Sequence, residues 1–398
     1  MHKPAWFREL YGFDEGNSWS KNVGRFSLDG ETLVCETSPF PRQFIGRFDC
    51  PSVAELRGRL AAGQPAPPGR GGLSFVHIAA PSGVGPLHFE PENAGAVFQA
   101  ASQFNCLEMT GPGVSPVAGV GIYIFDKTQG PACALACPAG TVYRNYLVNG
   151  VGQYPTQIDN LADLGTVVGN DVQRYWEMQN GYGMPTSRTA IAELATQLTA
   201  EPALVAAAEA ALRVGVHWST SVTPPYEHRV AQVYASALPC AYARGTKERD
   251  WEPFARLVLR AAYEATLAVA AVKSQEAGGA RVKCFLTALG GGVFGNRFEW
   301  CASRAACRDA ACLATPPPCP RGGALTVPHC PSLPRSLPLS APLCPSFCPS
   351  LHALTLLAPR ISALPGSRTR SPRPSTSTAR RRSMWCSSTT AAASTPTG

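Results

Sequence analysis

The passage from 251 to 296 constrains the fold most, because an amphipathic helix runs into an apolar strand and that strand runs into a cluster of glycines. Over 251–273 the residues Phe254, Leu257, Val258, Ala261, Ala265, Ala268, Val269 and Val272 recur at i, i+3, i+4 and i+7, which predicts a long helix with one buried face. The stretch 282–289 then predicts a buried strand. It delivers Gly290-Gly291-Gly292, where the lack of Cβ atoms lets backbone N–H groups press against a ligand such as a phosphate.

Gly290, Gly292 and Gly295 formally satisfy GxGxxG, but a dinucleotide-binding unit needs a helix, a second strand and an acid about 20 residues further on. Beyond Glu299 the chain soon becomes proline-rich and offers only Asp309. A P-loop is excluded because no Lys-Ser/Thr follows the glycines. The plain alternative is a glycine turn that holds no ligand.

Upstream, helices and strands alternate. Strands are expected at 31–37, 73–80 (buried), 95–102, 214–222 and 230–238, with a further strand end at 121–125. Ser52 caps a short helix carrying Val53, Leu56 and Leu60. A helix near Ser187 presents Ile191, Leu194, Ala195 and Leu198, and Thr199 opens another with Pro202 in its first turn. The aromatic stretch 174–183 reads as a helix end or turn whose rings either stack a base or pack. Interleaved strands and helices argue a three-layer α/β domain with a mixed or mostly parallel sheet and ligands beyond the carboxyl ends of its strands.

Charge is divided unevenly along the chain. Of 35 basic and 27 acidic residues, 301–398 holds 11 arginines, no lysine and one acid, leaving 24 basic and 26 acidic residues in 1–300. The net positive charge therefore belongs to the tail, which also carries 16 of the 37 prolines and eight of the 15 cysteines. Such composition does not offset the entropy of ordering, so 304–398 is expected to be disordered. Translation of GC-rich sequence beyond a splice site gives the same composition, and comparing transcript with genome decides between the two. The expected organisation is an N-terminal extension over 1–72 packed on the main domain, an α/β domain over 73–303, and the tail.

The first 17 residues include Lys3, Arg8, Glu9, Asp14 and Glu15 without an apolar core, and no stretch reaches the roughly 18 apolar residues that a membrane span needs. Neither a signal peptide nor a transmembrane segment is expected, and the location is read as cytoplasmic or nuclear. Seven scattered cysteines in the body (35, 50, 106, 133, 137, 240 and 284) read as reduced thiols. The histidines are dispersed and Cys133 and Cys137 lack a second pair, so no metal set emerges.

The stretch 286–296, entered from a long helix and an apolar strand, resembles the phosphate-gripping loop of macro domains, the superfamily that includes poly(ADP-ribose) glycohydrolases. The likeness covers roughly 73–300 and is specific only at its end. It implies a three-layer α/β/α macro-like domain with a mixed, mostly parallel sheet. It also implies that Gly290, Gly291, Gly292, Val293, Phe294, Gly295 and Asn296 line the diphosphate and ribose site. The strand 96–102 and the turn after it resemble the early macro-domain strand and its ribose loop. The family's Asn-Ala-Asn is absent there, and Gln99, Ser102 or Asn105 stands in for it.

The implied ligand is ADP-ribose or a related nucleotide diphosphate, and the implied partner is ADP-ribose or an ADP-ribosylated protein. No cofactor, membrane or nucleic-acid partner is expected. Hydrolysis of an ADP-ribosyl bond passes through an oxocarbenium-like centre and needs an acid or a held water. Glu108 is the first choice for that acid and Asp126 the second; for each the bland alternative is a solvated carboxylate. A non-catalytic reader module is the alternative to an ADP-ribosyl glycohydrolase. A further alternative is a thiol hydrolase built on Gln129 and Cys133 with His217 or His77 as base, although Ala and Leu around Cys133 suggest an inert thiol.

Overall fold

A computed structural model describes residues 5–63 and 72–300, together with the backbone of a strand at Ala353–Leu356. The rest of the expected tail, and residues 64–71, lie outside the described residues.

The chain forms a mixed seven-stranded sheet. Its order in space is Phe48–Asp49, Gly215–Ser221, Arg229–Ser236, Val97–Ser102, Cys284–Thr287, Ala353–Leu356 and Val76–Ala79. Val97–Ser102 is central and parallel to both neighbours, with Ala231 opposite Val97 on one side and Cys284 opposite Val97 on the other. The remaining four pairings are antiparallel. The expectation of a mostly parallel sheet is thus corrected. One physical reason is the short link from Ser221 to Arg229, which leaves no room for the crossover that parallel pairing requires.

Helices pack on both faces, and the strand residues alternate between them. The side chains of Val97, Ala101, Ala231, Val233, Ala235, Cys284 and Leu286 join the cluster beneath the long helix Glu248–Glu276. Those of Phe98, Ala100, Val230, Tyr234 and Phe285 face the other way, among Cys106, Cys133 and Cys137. A strand buried on both faces reads as a near-continuous apolar run, which is what 96–101 shows. Phe98 stacks on Phe285 with ring centroids 4.4 Å apart.

Ser52 and Glu55 close a reciprocal capping box at the start of the helix Val53–Ala62, with both hydrogen bonds at 3.1 Å. This helix packs on the long helix, and Phe48–Asp49 pairs with Gly215–Ser221. Residues 48–62 are therefore part of the main sheet and core. Earlier residues, including Phe7, Tyr11, Phe26 and Leu33, form a second cluster with Leu107, Tyr123, Val142 and Tyr146.

Several local expectations are corrected. Gly121–Phe125 is a 3-10 helix, and 174–183 forms the hairpin Trp176–Gln179 with Tyr182–Pro185, turning at Asn180-Gly181. Asn180 and Gly181 both take positive φ, the geometry of a two-residue hairpin turn. The strand expected to be buried over 73–80 is Val76–Ala79 at the end of the sheet, exposed or half-exposed throughout. Thr199 does not open the helix Pro202–Ala211; its hydroxyl donates to Ala195 in the preceding turn at 2.7 Å. No described helix is long and apolar enough to cross a membrane.

Candidate functional site

The three parallel strands end side by side at Ser102, Ser236 and Thr287, and the chain leaving each of them builds one surface. After Thr287 the glycine loop makes two consecutive turns, Gly291 N–H to Ala288 carbonyl at 3.1 Å and Gly295 N–H to Gly292 carbonyl at 3.0 Å. Between them the N–H groups of Gly292, Val293 and Phe294 have no hydrogen-bond partner among the described residues. Gly291, Gly292 and Val293 are exposed, with Val293 58 % accessible.

The loop is held from beneath. Gly290 sits at φ +70°, where a Cβ would strike the Ala237 Cβ and crowd Asn296, so glycine is required both for conformation and for space. Asn296 donates through Nδ2 to the Leu238 carbonyl at 2.7 Å and through its backbone N–H to Gly290 at 2.9 Å. Ala241 N–H donates to the Phe294 carbonyl at 3.0 Å. From the long helix, the Tyr263 hydroxyl donates to Thr287 at 2.7 Å and accepts from Leu289 N–H at 3.0 Å.

Three rings from three separate segments meet next to this loop. Tyr182, Tyr242 and Phe294 lie with centroids 5.5–5.7 Å apart. Tyr182 anchors the group, its hydroxyl donating to the Met109 carbonyl at 2.7 Å. Asp126, half-buried, sits close enough that its charge adds to burial in raising the pKa of Tyr242. Its Oδ1 accepts from Thr128 N–H at 2.8 Å and so helps start the helix Gln129–Ala136.

Behind the surface lies a buried polar compartment. Glu108 is 1 % exposed and its Oε1 has no hydrogen-bond partner. Its other oxygen faces Gly130, where any Cβ would collide with it and with the Ala101 carbonyl. Burial pushes the carboxyl well above the ordinary range, outweighing the Ser102 hydroxyl and the charge of Arg144. Arg144 is itself fully buried, donating through Nε to the Cys106 carbonyl at 2.9 Å, with its guanidinium 3.6 Å from the centroid of the Tyr234 ring. Its Nη1, like Glu108 Oε1, is unpartnered.

The residues expected to contact ribose turn inward. Gln99 donates to Thr266 at 2.9 Å and accepts from Thr287 N–H at 3.2 Å, beneath the long helix. Ser102 donates to the Leu107 carbonyl at 3.2 Å. Asn105 donates to Gln157 at 2.8 Å and accepts from Leu107 N–H at 3.0 Å. All three are buried; Ser102 and Asn105 hold up the 102–109 turn from inside, whereas Gln99 ties the central strand to the long helix and to Thr287. Sequence reasoning missed Tyr242, Tyr263 and Arg144. The only signal was the placement of Arg144-Asn145 after a run of small residues.

Cys133 and His217, two residues of the thiol-hydrolase alternative, are each engaged with other partners, and His77 lies on the exposed strand Val76–Ala79. Cys133 is fully buried, its thiol pushed up by burial, and it accepts from Gln129 Nε2 at 3.2 Å. His217 is engaged elsewhere, its ring nitrogens 3.0 Å from the Ile45 carbonyl and 3.3 Å from the Gly140 carbonyl. Among the described residues no group of three or more His, Cys, Asp or Glu side chains could hold a metal. A depression of about 600 Å³ lies along the N-terminal helices, lined by Phe13, Asp14, Lys21 and Arg25 among others, and no expected site residue borders it.

No protein-family model matches the chain, and neither a curated protein nor a solved structure matches it.

Proposed function

We propose that the chain binds ADP-ribose or a related nucleotide diphosphate at the carboxyl ends of its parallel strands, with the diphosphate resting on the glycine loop. The observation that carries this reading is the row of N–H groups from Gly292 to Phe294, unpartnered among the described residues. They lie where α/β sheets take their ligands, and successive free N–H groups form an anion-binding concavity. The half-buried edge of Tyr242 offers a ring beside that row, and Asp126 a hydrogen-bond acceptor for a ribose hydroxyl.

Calorimetric titration of the full chain tests it. ADP-ribose binds at least about tenfold more tightly than AMP, which lacks the diphosphate, a difference of about 1.4 kcal/mol. The absence of binding heat at millimolar ADP-ribose defeats the reading.

A second reading adds hydrolysis of an ADP-ribosyl linkage, with Glu108 as the acid. Burial favours the protonated carboxyl that a general acid needs. Its 1 % exposure and its place behind the surface favour the binding module over the hydrolase. Release of free ADP-ribose from a mono-ADP-ribosylated protein, abolished in Glu108→Gln with binding retained, would reverse that preference.

A further inference from the structure

Two acids are buried among the described residues, Glu108 and Glu15. Glu108 leaves one oxygen unpartnered, whereas both oxygens of Glu15 accept hydrogen bonds. Oε1 of Glu15 accepts from Val120 N–H at 2.8 Å and from the Tyr146 hydroxyl at 2.6 Å, and Oε2 accepts from Gly121 N–H at 2.6 Å. Gly119, at φ +84°, leaves the space that the carboxyl fills, since a Cβ there would strike it. Asn22 fixes the neighbouring Gly16, accepting from its N–H at 2.8 Å and donating to its carbonyl at 2.9 Å, and donates to the same Tyr146 hydroxyl at 3.1 Å.

Val120 and Gly121 open the 3-10 helix Gly121–Phe125, too short to supply partners for its own first N–H groups. Glu15 supplies them from the N-terminal segment. Trp6 holds the same turn, donating through Nε1 to the Gly121 carbonyl at 3.1 Å. Both carboxyls proposed for the ligand surface hang on this helix. The buried Tyr123 hydroxyl accepts from Glu108 N–H at 3.0 Å. Asp126, which ends the helix, donates its N–H to the Tyr123 carbonyl at 3.1 Å, and its side chain accepts from Thr128 N–H.

We infer that Glu15 is a positioning residue: it sets the 3-10 helix and, through that single turn, the place of Asp126 and of the Glu108 backbone. Its effect on binding rests on the ADP-ribose reading, in which Asp126 accepts from a ribose hydroxyl; its effect on the helix rests on the hydrogen bonds alone. The glycine loop is held instead from Leu238, Ala241 and Tyr263. Glu15 therefore governs the ribose contact and leaves the diphosphate contact alone.

Calorimetry on the full chain compares Glu15→Gln with the parent for ADP-ribose and for inorganic pyrophosphate, which needs only the glycine loop. ADP-ribose affinity is expected to fall about tenfold while pyrophosphate affinity holds. In an Asp126→Ala background the same substitution is expected to change ADP-ribose affinity no further, because it acts through the missing carboxylate. An unchanged ADP-ribose affinity, equal losses for both ligands, or a loss that persists in full without Asp126 overturns the inference.

Site-resolved hydrogen exchange decides the same point without ligand. In the unaltered chain the amides of Val120, Gly121 and Asp126 are expected to exchange through one common opening, and in Glu15→Gln these and the Glu108 amide exchange about tenfold faster or more. A parent chain that binds no ADP-ribose defeats the ligand reading, and the exchange result still stands or falls by itself. If Asp126 in the unaltered chain opens separately from Val120 and Gly121, Glu15 does not set its place, whether or not the variant folds.

Discussion

The side-chain amide of Asn296 donates to the carbonyl of Leu238 at 2.7 Å, tying the far end of the glycine loop to the chain that leaves the Arg229–Ser236 strand. The loop is thereby set before any ligand arrives, so its N–H groups are not ordered at the ligand's expense. Removing this bond frees the loop and leaves a buried carbonyl without its partner. Asn296→Ala is expected to cost about 1 kcal/mol of stability. It is expected to weaken ADP-ribose binding about tenfold, since ordering the loop then falls to the ligand. Chemical denaturation and calorimetry on the same variant check both.

Gly290 and Gly292 separate folding from binding. A Cβ at Gly292 meets nothing within 4 Å, so Gly292→Glu keeps the stability of the parent chain while setting a carboxylate among the N–H groups. ADP-ribose binding is expected to fall at least about a hundredfold. At Gly290, with φ +70° and Ala237 in the way, Gly290→Ala is expected to lower stability by about 1–3 kcal/mol. Equal loss of stability in both variants would contradict this division.

Glu108 gives the chain a pH dependence of a definite sign. Its folded pKa lies above the ordinary carboxyl value, so the folded state binds the proton more tightly than the unfolded state does. Stability attached to this group is complete below the ordinary carboxyl range and is lost as pH rises through the raised value. Glu108→Gln, which cannot ionise, is expected to flatten the fall in melting temperature with rising pH. A variant whose profile parallels that of the parent chain would show that the carboxyl is not held neutral.

At the acid end one contributing group is His88, fully buried, with Nδ1 3.0 Å from the Val84 carbonyl and Nε2 3.1 Å from Gln232 Nε2. Burial lowers its pKa from 6.5 to about 4, so its contribution is present above 6.5 and is lost as pH falls toward 4. At about 1.4 kcal/mol per pH unit, that gap is worth roughly 3 kcal/mol. Urea titrations at several pH values should show a shallower acid loss in His88→Gln, even though that variant starts less stable. His217, also lowered by burial, acts in the same direction.

Much of the framework was legible because its signals are local. Ser52 announces the start of its helix, and the apolar spacing from Phe254 to Val272 marks the long helix within its own sequence. Gly290 was legible as a position without a Cβ, whereas its positive φ and the Ala237 side chain behind it were not. Gln99 was not: it alternates correctly with Phe98, but both faces of its strand are buried, so periodicity does not separate a core amide from a ligand contact. The Tyr182, Tyr242 and Phe294 cluster joins residues more than 50 positions apart, and Arg144 meets Tyr234 across the interior. Neither pairing leaves a trace in linear spacing. The parallel share of the sheet was overestimated because strand and helix alternation was taken to imply crossovers, whereas Ser221 returns directly to Arg229.

A crystal structure of the chain with ADP-ribose bound tests the ligand assignment most directly. The expected result is diphosphate oxygens within about 3 Å of the N–H groups of Gly292, Val293 and Phe294, with Gly290 and Asn296 unmoved. Diphosphate density on any other surface, with those three N–H groups left facing solvent, would contradict it.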